Sequence, residues 1–97
     1  MEPFIILGNF TSQGVDKFRD IVARLEQSKA DVKKAGGNWI GYWLTMGQYD
    51  FIAIVEMPDA AAMARVLLAA GIEGNVRTET LHAFSEEEAA AIAASLS

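Results

Sequence analysis

The first patterned segment is Phe4-Ile5-Ile6-Leu7-Gly8-Asn9-Phe10, a short apolar run rich in Ile and Phe that reads as a strand. Thr11 or Ser12 follows as a helix cap. Val15, Phe18, Val22, Leu25 and Val32 then recur at three- to four-residue spacing, which predicts one apolar helical face. Gly36-Gly37 ends this helix, because glycine takes a left-handed C-cap without steric cost. Two further strands are expected from about Trp39 to Met46 and from Tyr49 to Met57, with only Gly47-Gln48 between them. Gly47 is then the structural turn residue, since a type II′ two-residue turn needs positive φ at its first central position. Pro58-Asp59 stops the third strand and offers an N-cap for a helix to about Ala70, with Met63, Val66, Leu67 and Ala70 inward. Gly71 and Gly74-Asn75 turn the chain into a fourth strand, Val76 to Phe84. Ser85-Glu86-Glu87-Glu88 has the form of a capping box opening an Ala-rich terminal helix.

The resulting order, βαββαβ plus a tail helix, predicts an α+β, ferredoxin-like βαββαβ sandwich with a C-terminal extra helix, residues 1–97 forming a single domain. Right-handed crossovers place both main helices on one face of an antiparallel sheet in strand order 4-1-3-2. With Gly47-Gln48 as the turn, Met46 faces Tyr49, Leu44 faces Phe51, Tyr42 faces Ala53 and Ile40 faces Val55, all on an apolar face that suits the helices. The opposite face carries Thr45 with Asp50, Trp43 with Ile52, Gly41 with Ile54, and Trp39 with Glu56. Tryptophans and isoleucines there need cover as well, and one chain covers only one face. The economical answer is a homodimer in which two sheets pack face to face, a dimeric α+β barrel. The alternative is that the tail helix folds over its own open face, although Ile92 and Leu96 are its only large apolar residues.

Composition narrows the function. The chain is 52% hydrophobic and 22% charged, so it is expected to fold with a real core. A net charge of −5 argues against nucleic-acid or anionic-lipid binding through a broad electrostatic footprint. No run of apolar residues is long enough to span a membrane, and Met1-Glu2-Pro3 lacks the basic region of a secretory signal, so a cytoplasmic location is expected. Without cysteine there is no disulfide or thiol nucleophile, and a single histidine argues against a metal site, so no metal and no cofactor are expected. The glycines fit no phosphate loop. Ser12, Ser28, Ser85, Ser95 and Ser97 sit at caps, in a helix and in the tail, which argues against a serine triad.

Asp50 is the carboxylate of most interest. It follows the turn, opposite Thr45 and near Trp43, and a carboxylate beside aromatic surface tends to find a donor. Turn stabilisation is the plainer role for it. His82 suits general acid–base work by its ordinary pKa, against the plainer role of a hydrogen-bonded strand histidine. Arg77 and Glu79 share the other phase of the fourth strand and suit a structural pair. Asn9 is a polar residue closing an apolar strand. If the third and fourth strands run oppositely, His82 joins Asp50 at one sheet end, while Asn9, Trp39, Glu56 and Arg77 gather at the other.

Three stretches, Ile6-Leu7-Gly8-Asn9-Phe10-Thr11, Thr45-Met46-Gly47-Gln48-Tyr49-Asp50-Phe51 and Gly74-Asn75-Val76-Arg77-Thr78-Glu79-Thr80-Leu81, resemble the GYD-domain family of small bacterial proteins. Its naming residues are matched by Gly47, Tyr49 and Asp50. The resemblance implies a dimeric α+β barrel and brings no catalytic assignment. Similar turns occur in other ferredoxin-like ligand-binding modules, including effector domains of Lrp/AsnC-type regulators. Three functions follow as expectations. The first is a small-molecule-binding homodimer whose pocket on the mixed sheet face is lined by Asp50, Tyr49, Thr45, Trp43, His82 and Asn9. The second is an enzyme similar to the cofactor-independent oxygenases on the same barrel, with Asn9, Trp43 and His82 as candidates. The third is a non-catalytic effector or interaction module.

Overall fold

A computed structural model of the chain describes residues Met1–Leu96; Ser97 lies outside the described residues. Strand β1 (Glu2–Phe10) leads into α1 (Ser12–Asp16), a single 3₁₀ turn (Phe18–Asp20) and α2 (Ile21–Lys34). Strands β2 (Asn38–Leu44) and β3 (Phe51–Met57), helix α3 (Ala60–Ile72), strand β4 (Val76–His82) and helix α4 (Glu86–Ser95) complete the chain. Thr11 caps α1 by accepting from the Gly14 N–H, and Asp59 caps α3 by accepting from the Ala62 N–H. The capping box of α4 is formed in full between Ser85 and Glu88.

The single helix predicted from Thr11 to Gly36 is broken. Thr11 and Gln13 tie α1 to the turn before β4: the Thr11 hydroxyl donates to the Gly74 carbonyl (2.6 Å), and Gln13 Nε2 donates to the Glu73 carbonyl and to Asn75 Oδ1 (2.8 and 2.9 Å). The chain must re-aim at Lys17–Asp20 before α2 can lie along the sheet. That break resets the helical phase. Val15 and Val22, predicted inward, are 60% and 70% exposed, whereas Leu25 is half-buried and Val32 is buried with Ile21 and Ser28 on the same side.

The sheet has the predicted order, β2-β3-β1-β4, and both of its crossovers place helices on one face. Phe4, Ile6 and Gly8 of β1 align with Val55, Ala53 and Phe51 of β3 and with His82, Thr80 and Thr78 of β4. These residues form the helix-covered face. Its core is Phe4, Ile6, Val32, Phe51, Ala53, Val55, Met57, Ala62 and Met63. Ile5, Leu7, Ile52, Ile54, Trp43 and Leu81 alternate onto the other face.

Two details of the β2–β3 hairpin differ from the expected register. Leu44, Trp43, Tyr42 and Gly41 pair with Phe51, Ile52, Ala53 and Ile54 as predicted, but a bulge at Ile40 then shifts the register. Trp39 therefore pairs with Val55 and packs against the core, and Ile40 is 54% exposed, the reverse of the predicted faces. The strands also end earlier than expected, so Gly47 lies in a loop from Thr45 to Asp50 and not in a two-residue turn. Gly47 does adopt φ +110°.

Helix α4 buries no residue, and Ile92 and Leu96 are 46% and 77% exposed, so it does not cover the open sheet face. The molecule measures 52 × 31 × 18 Å with a radius of gyration of 14.7 Å. A compact chain of this length is expected near 12.5 Å, about 2 Å less. The open face and the projecting helix leave surface that a single copy does not bury.

Candidate functional site

An apolar concavity lies on the helix-covered face. Sheet residues Ile6, Phe51, Ala53 and Tyr42 form its floor, α2 supplies Arg24, Leu25 and Ser28, and α3 supplies Val66, Leu67 and Ala70. Its volume is about 100 Å³. Gly8 helps to shape the floor: a Cβ there would lie 2.0 Å from the Phe51 ring, so only glycine lets that ring cross β1. The cavity therefore lies on the side of the sheet opposite to the pocket expected on the mixed face.

Tyr42 brings the strongest polar signal into this cavity. Its hydroxyl is buried and has no hydrogen-bond partner among the described residues. Burial pushes its pKa above the ordinary 10.0, Arg24 pulls it back, and Asp50 adds a smaller upward push. Arg24 donates only a long bond, 3.5 Å, to the Gly14 carbonyl and pairs with no carboxylate among the described residues. Arg24, Ser28, Ala70 and Val76 also line a smaller polar cleft between α2 and α3, so the two spaces adjoin.

The six predicted site residues fall into three places. Asp50 and Thr45 line an open depression with Phe10, Val15, Phe18 and Leu44, beside the cavity's Phe10 wall. Both are committed to closing the loop. Asp50 Oδ2 accepts from the Phe10 N–H (2.9 Å), its N–H donates to the Gly8 carbonyl (2.8 Å), and its carbonyl accepts from the Thr45 N–H (2.8 Å). The Thr45 hydroxyl donates to the Tyr49 carbonyl at 2.6 Å.

Trp43, Tyr49 and Asn9 belong to the open face. The Tyr49 hydroxyl donates to Glu79 Oε2 (2.6 Å), spanning from the loop to β4, and this bond raises the pKa of the phenol. Glu79 thus pairs with Tyr49 rather than with Arg77.

His82 joins neither group. It lies on the helix-covered phase, stacked between Phe4 (4.6 Å) and Phe84 (5.4 Å), with Nε2 2.9 Å from Glu2 Oε1. Because β3 and β4 are both antiparallel to β1, they run parallel to each other, which reverses the predicted grouping. His82 pairs with Phe4 while Asp50 holds Phe10, six residues on, which is about 20 Å along the strand. Asn9 and Arg77 share the Asp50 end, and Trp39 and Glu56 share the His82 end.

Arg24, Ser28 and Tyr42 are the site residues that motif reading missed. One signal existed: with helical phase counted from Ile21, Ser28 falls on the inward side with Leu25 and Val32.

The fold and the cavity define a ferredoxin-like α+β protein with an apolar site between sheet and helices. The sequence profile of the GYD domain matches residues 4–93, and the chain belongs to that family. A Thermus thermophilus protein, named glutamine synthetase and cystathionine beta-lyase binding protein, is 31% identical over 84 residues, covering 86% of this chain and 88% of its own length. Among solved structures, TTHA0845 from Thermus thermophilus superposes with a TM-score of 0.54 at 21% identity, over 88% of this chain and 95% of the other. MtbAldR gives 0.63 at 16% identity; this chain, 88% covered, spans only 52% of it. A mutant of SnoaB, a cofactor-independent oxygenase from Streptomyces nogalater, gives 0.51 at 16% identity, over 88% and 92%. At these identities the solved structures establish the fold alone. Among the described residues no helix is long and apolar enough to cross a membrane.

Proposed function

We propose that the chain is a small-molecule-binding module that takes its ligand between the sheet and helices α2 and α3. The observation that carries this reading is the buried Tyr42 hydroxyl, unpartnered in an apolar cavity. A buried hydroxyl left unbonded costs about 1–3 kcal/mol, and a ligand acceptor removes that cost. An apolar cavity with a few placed polar groups is the usual form of such a site. The oxygenase reading draws less support, because Asn9, Trp43 and His82 do not line the cavity. The test is a thermal-shift screen of small organic molecules on the wild-type chain and on Ala70→Leu, which fills the cavity. Ligand-induced shifts are expected in the wild type and are expected to vanish in the variant. A shift that survives the substitution, or none in the wild type, overturns the assignment.

A second reading concerns the open face, where Trp43 and Leu81 are 51% and 45% exposed beside Ile5, Leu7, Ile52 and Ile54. We read this face as the seat of a second copy, sheet against sheet. The Thermus relative's name describes binding to other proteins, which is the competing occupant. Light scattering separates the two: self-association predicts twice the 10.5 kDa chain mass, and a monomer leaves the face to a different protein.

A further inference from the structure

Every polar side chain of the cavity can donate a hydrogen bond and one of them carries a positive charge, and this carries the reading of the site one step further. Tyr42 offers a buried O–H with no hydrogen-bond partner, and Arg24 offers a guanidinium with no carboxylate partner among the described residues. Both can donate, Arg24 exclusively so, and Ser28 and Thr78 add hydroxyls to the same lining. Of the nearby acids, Asp50 accepts from the Phe10 N–H and Asp31 accepts from Gln27 Nε2 at 2.9 Å, while Glu73, which shares the outer cleft with Arg24, makes no ion pair with it. The remaining wall, from Leu25, Val32, Val66, Leu67, Phe10 and Phe51, is apolar. Arg24 lines both the cavity and the adjoining polar cleft, so the charge lies on the cleft side of an otherwise apolar cavity.

We infer that the ligand is a small monocarboxylic acid, its carboxylate held by Arg24 and the Tyr42 hydroxyl and its hydrocarbon body in the apolar cavity. The inference rests on the cavity being a ligand site, as proposed above. Size sets the body. A dry cavity of about 150 Å³ accepts benzene, so the volume here suits about four to six carbon atoms. A guanidinium binds a carboxylate through two parallel N–H bonds, and a buried phenol adds a third donor. A neutral amide of the same shape gains less from both.

The test uses isothermal titration of the full chain at pH 7 with three probes of one skeleton: 4-methylpentanoate, 4-methylpentanamide and 4-methylpentan-1-ol. The acid is expected to bind at least about tenfold more tightly than the amide or the alcohol. Arg24→Gln is expected to remove that preference and leave alcohol affinity within about twofold, with Arg24→Lys intermediate. Tyr42→Phe is expected to weaken acid binding several-fold. Thermal unfolding checks that each variant is folded. Equal binding of all three probes, or acid binding indifferent to Arg24→Gln, overturns the carboxylate assignment while leaving the cavity as a binding site. If none of the probes binds, and neutral fragments also fail to shift the wild-type chain, the assignment falls together with the site on which it rests.

Discussion

Tyr42 and Asp50 show how differently two polar residues of one hairpin are used. The Tyr42 hydroxyl is buried with nothing to bond, so Tyr42→Phe should stabilise the ligand-free chain by about 1 kcal/mol, as read from denaturant unfolding. Lost stability would mean that the hydroxyl has a partner in the free protein. Asp50 is the opposite case. Asp50→Ala leaves the Phe10 N–H without its acceptor and should cost about 1–2 kcal/mol, whereas Asp50→Asn keeps an oxygen in place and should cost less. The sequence singles out Asp50 by its place after the turn, yet its partner lies forty residues earlier on another strand, where no local pattern points to it. Tyr42 is placeable on the helix face from alternation alone. Its lack of a partner is a property of the packed cavity and leaves no trace in the pattern.

Elements were legible where one rule governs them and obscured where two compete. The caps at Thr11, Asp59 and Ser85 and the strand order follow from local chemistry and crossover handedness. The break between α1 and α2 was hidden, because tertiary bonds from Thr11 and Gln13 to the turn before β4 override an unbroken helical period. The bulge at Ile40 was hidden for a similar reason: either Trp39 or Ile40 satisfies an apolar face, and packing of the larger ring on the core decides. Helix α4 yields a prediction at this scale. Its capping bonds to Ser85 hold the Glu88 carboxyl below its ordinary 4.5. A depressed carboxyl contributes stability above its unfolded pKa and loses it as pH falls through the folded value. Protection of the α4 amides, relative to unstructured amides at the same pH, should therefore fall below about pH 4.5, and in Ser85→Ala it should already be low at pH 7. Because α4 buries nothing, exchange in the sheet should be unaffected. Sheet amides that lose protection together with those of α4 would show that the helix is bound to the rest.

The molecule as a whole exposes 6495 Å². A monomer of this mass is expected to expose about 5,400 Å², and the excess is comparable to the roughly 800 Å² that each partner gives to a standard interface. Ile54 lies on the open face of β3, away from the cavity lining, so Ile54→Lys should yield a monomer that still binds cavity ligands. Light scattering and the ligand-induced shift read the two effects separately; a dimer that persists would move the interface elsewhere. The arrangement of β1 has another consequence, in time rather than space. This strand is synthesised before β2, β3 and β4 but lies between β3 and β4, with Phe4 waiting for Val55 and then for His82. At about 5–20 residues per second, a ribosome leaves β1 without its last neighbour for roughly 4–16 s. During that interval its Ile- and Phe-rich edge is open to any other nascent strand, so the yield of native protein should depend on what shields β1 at the ribosome exit.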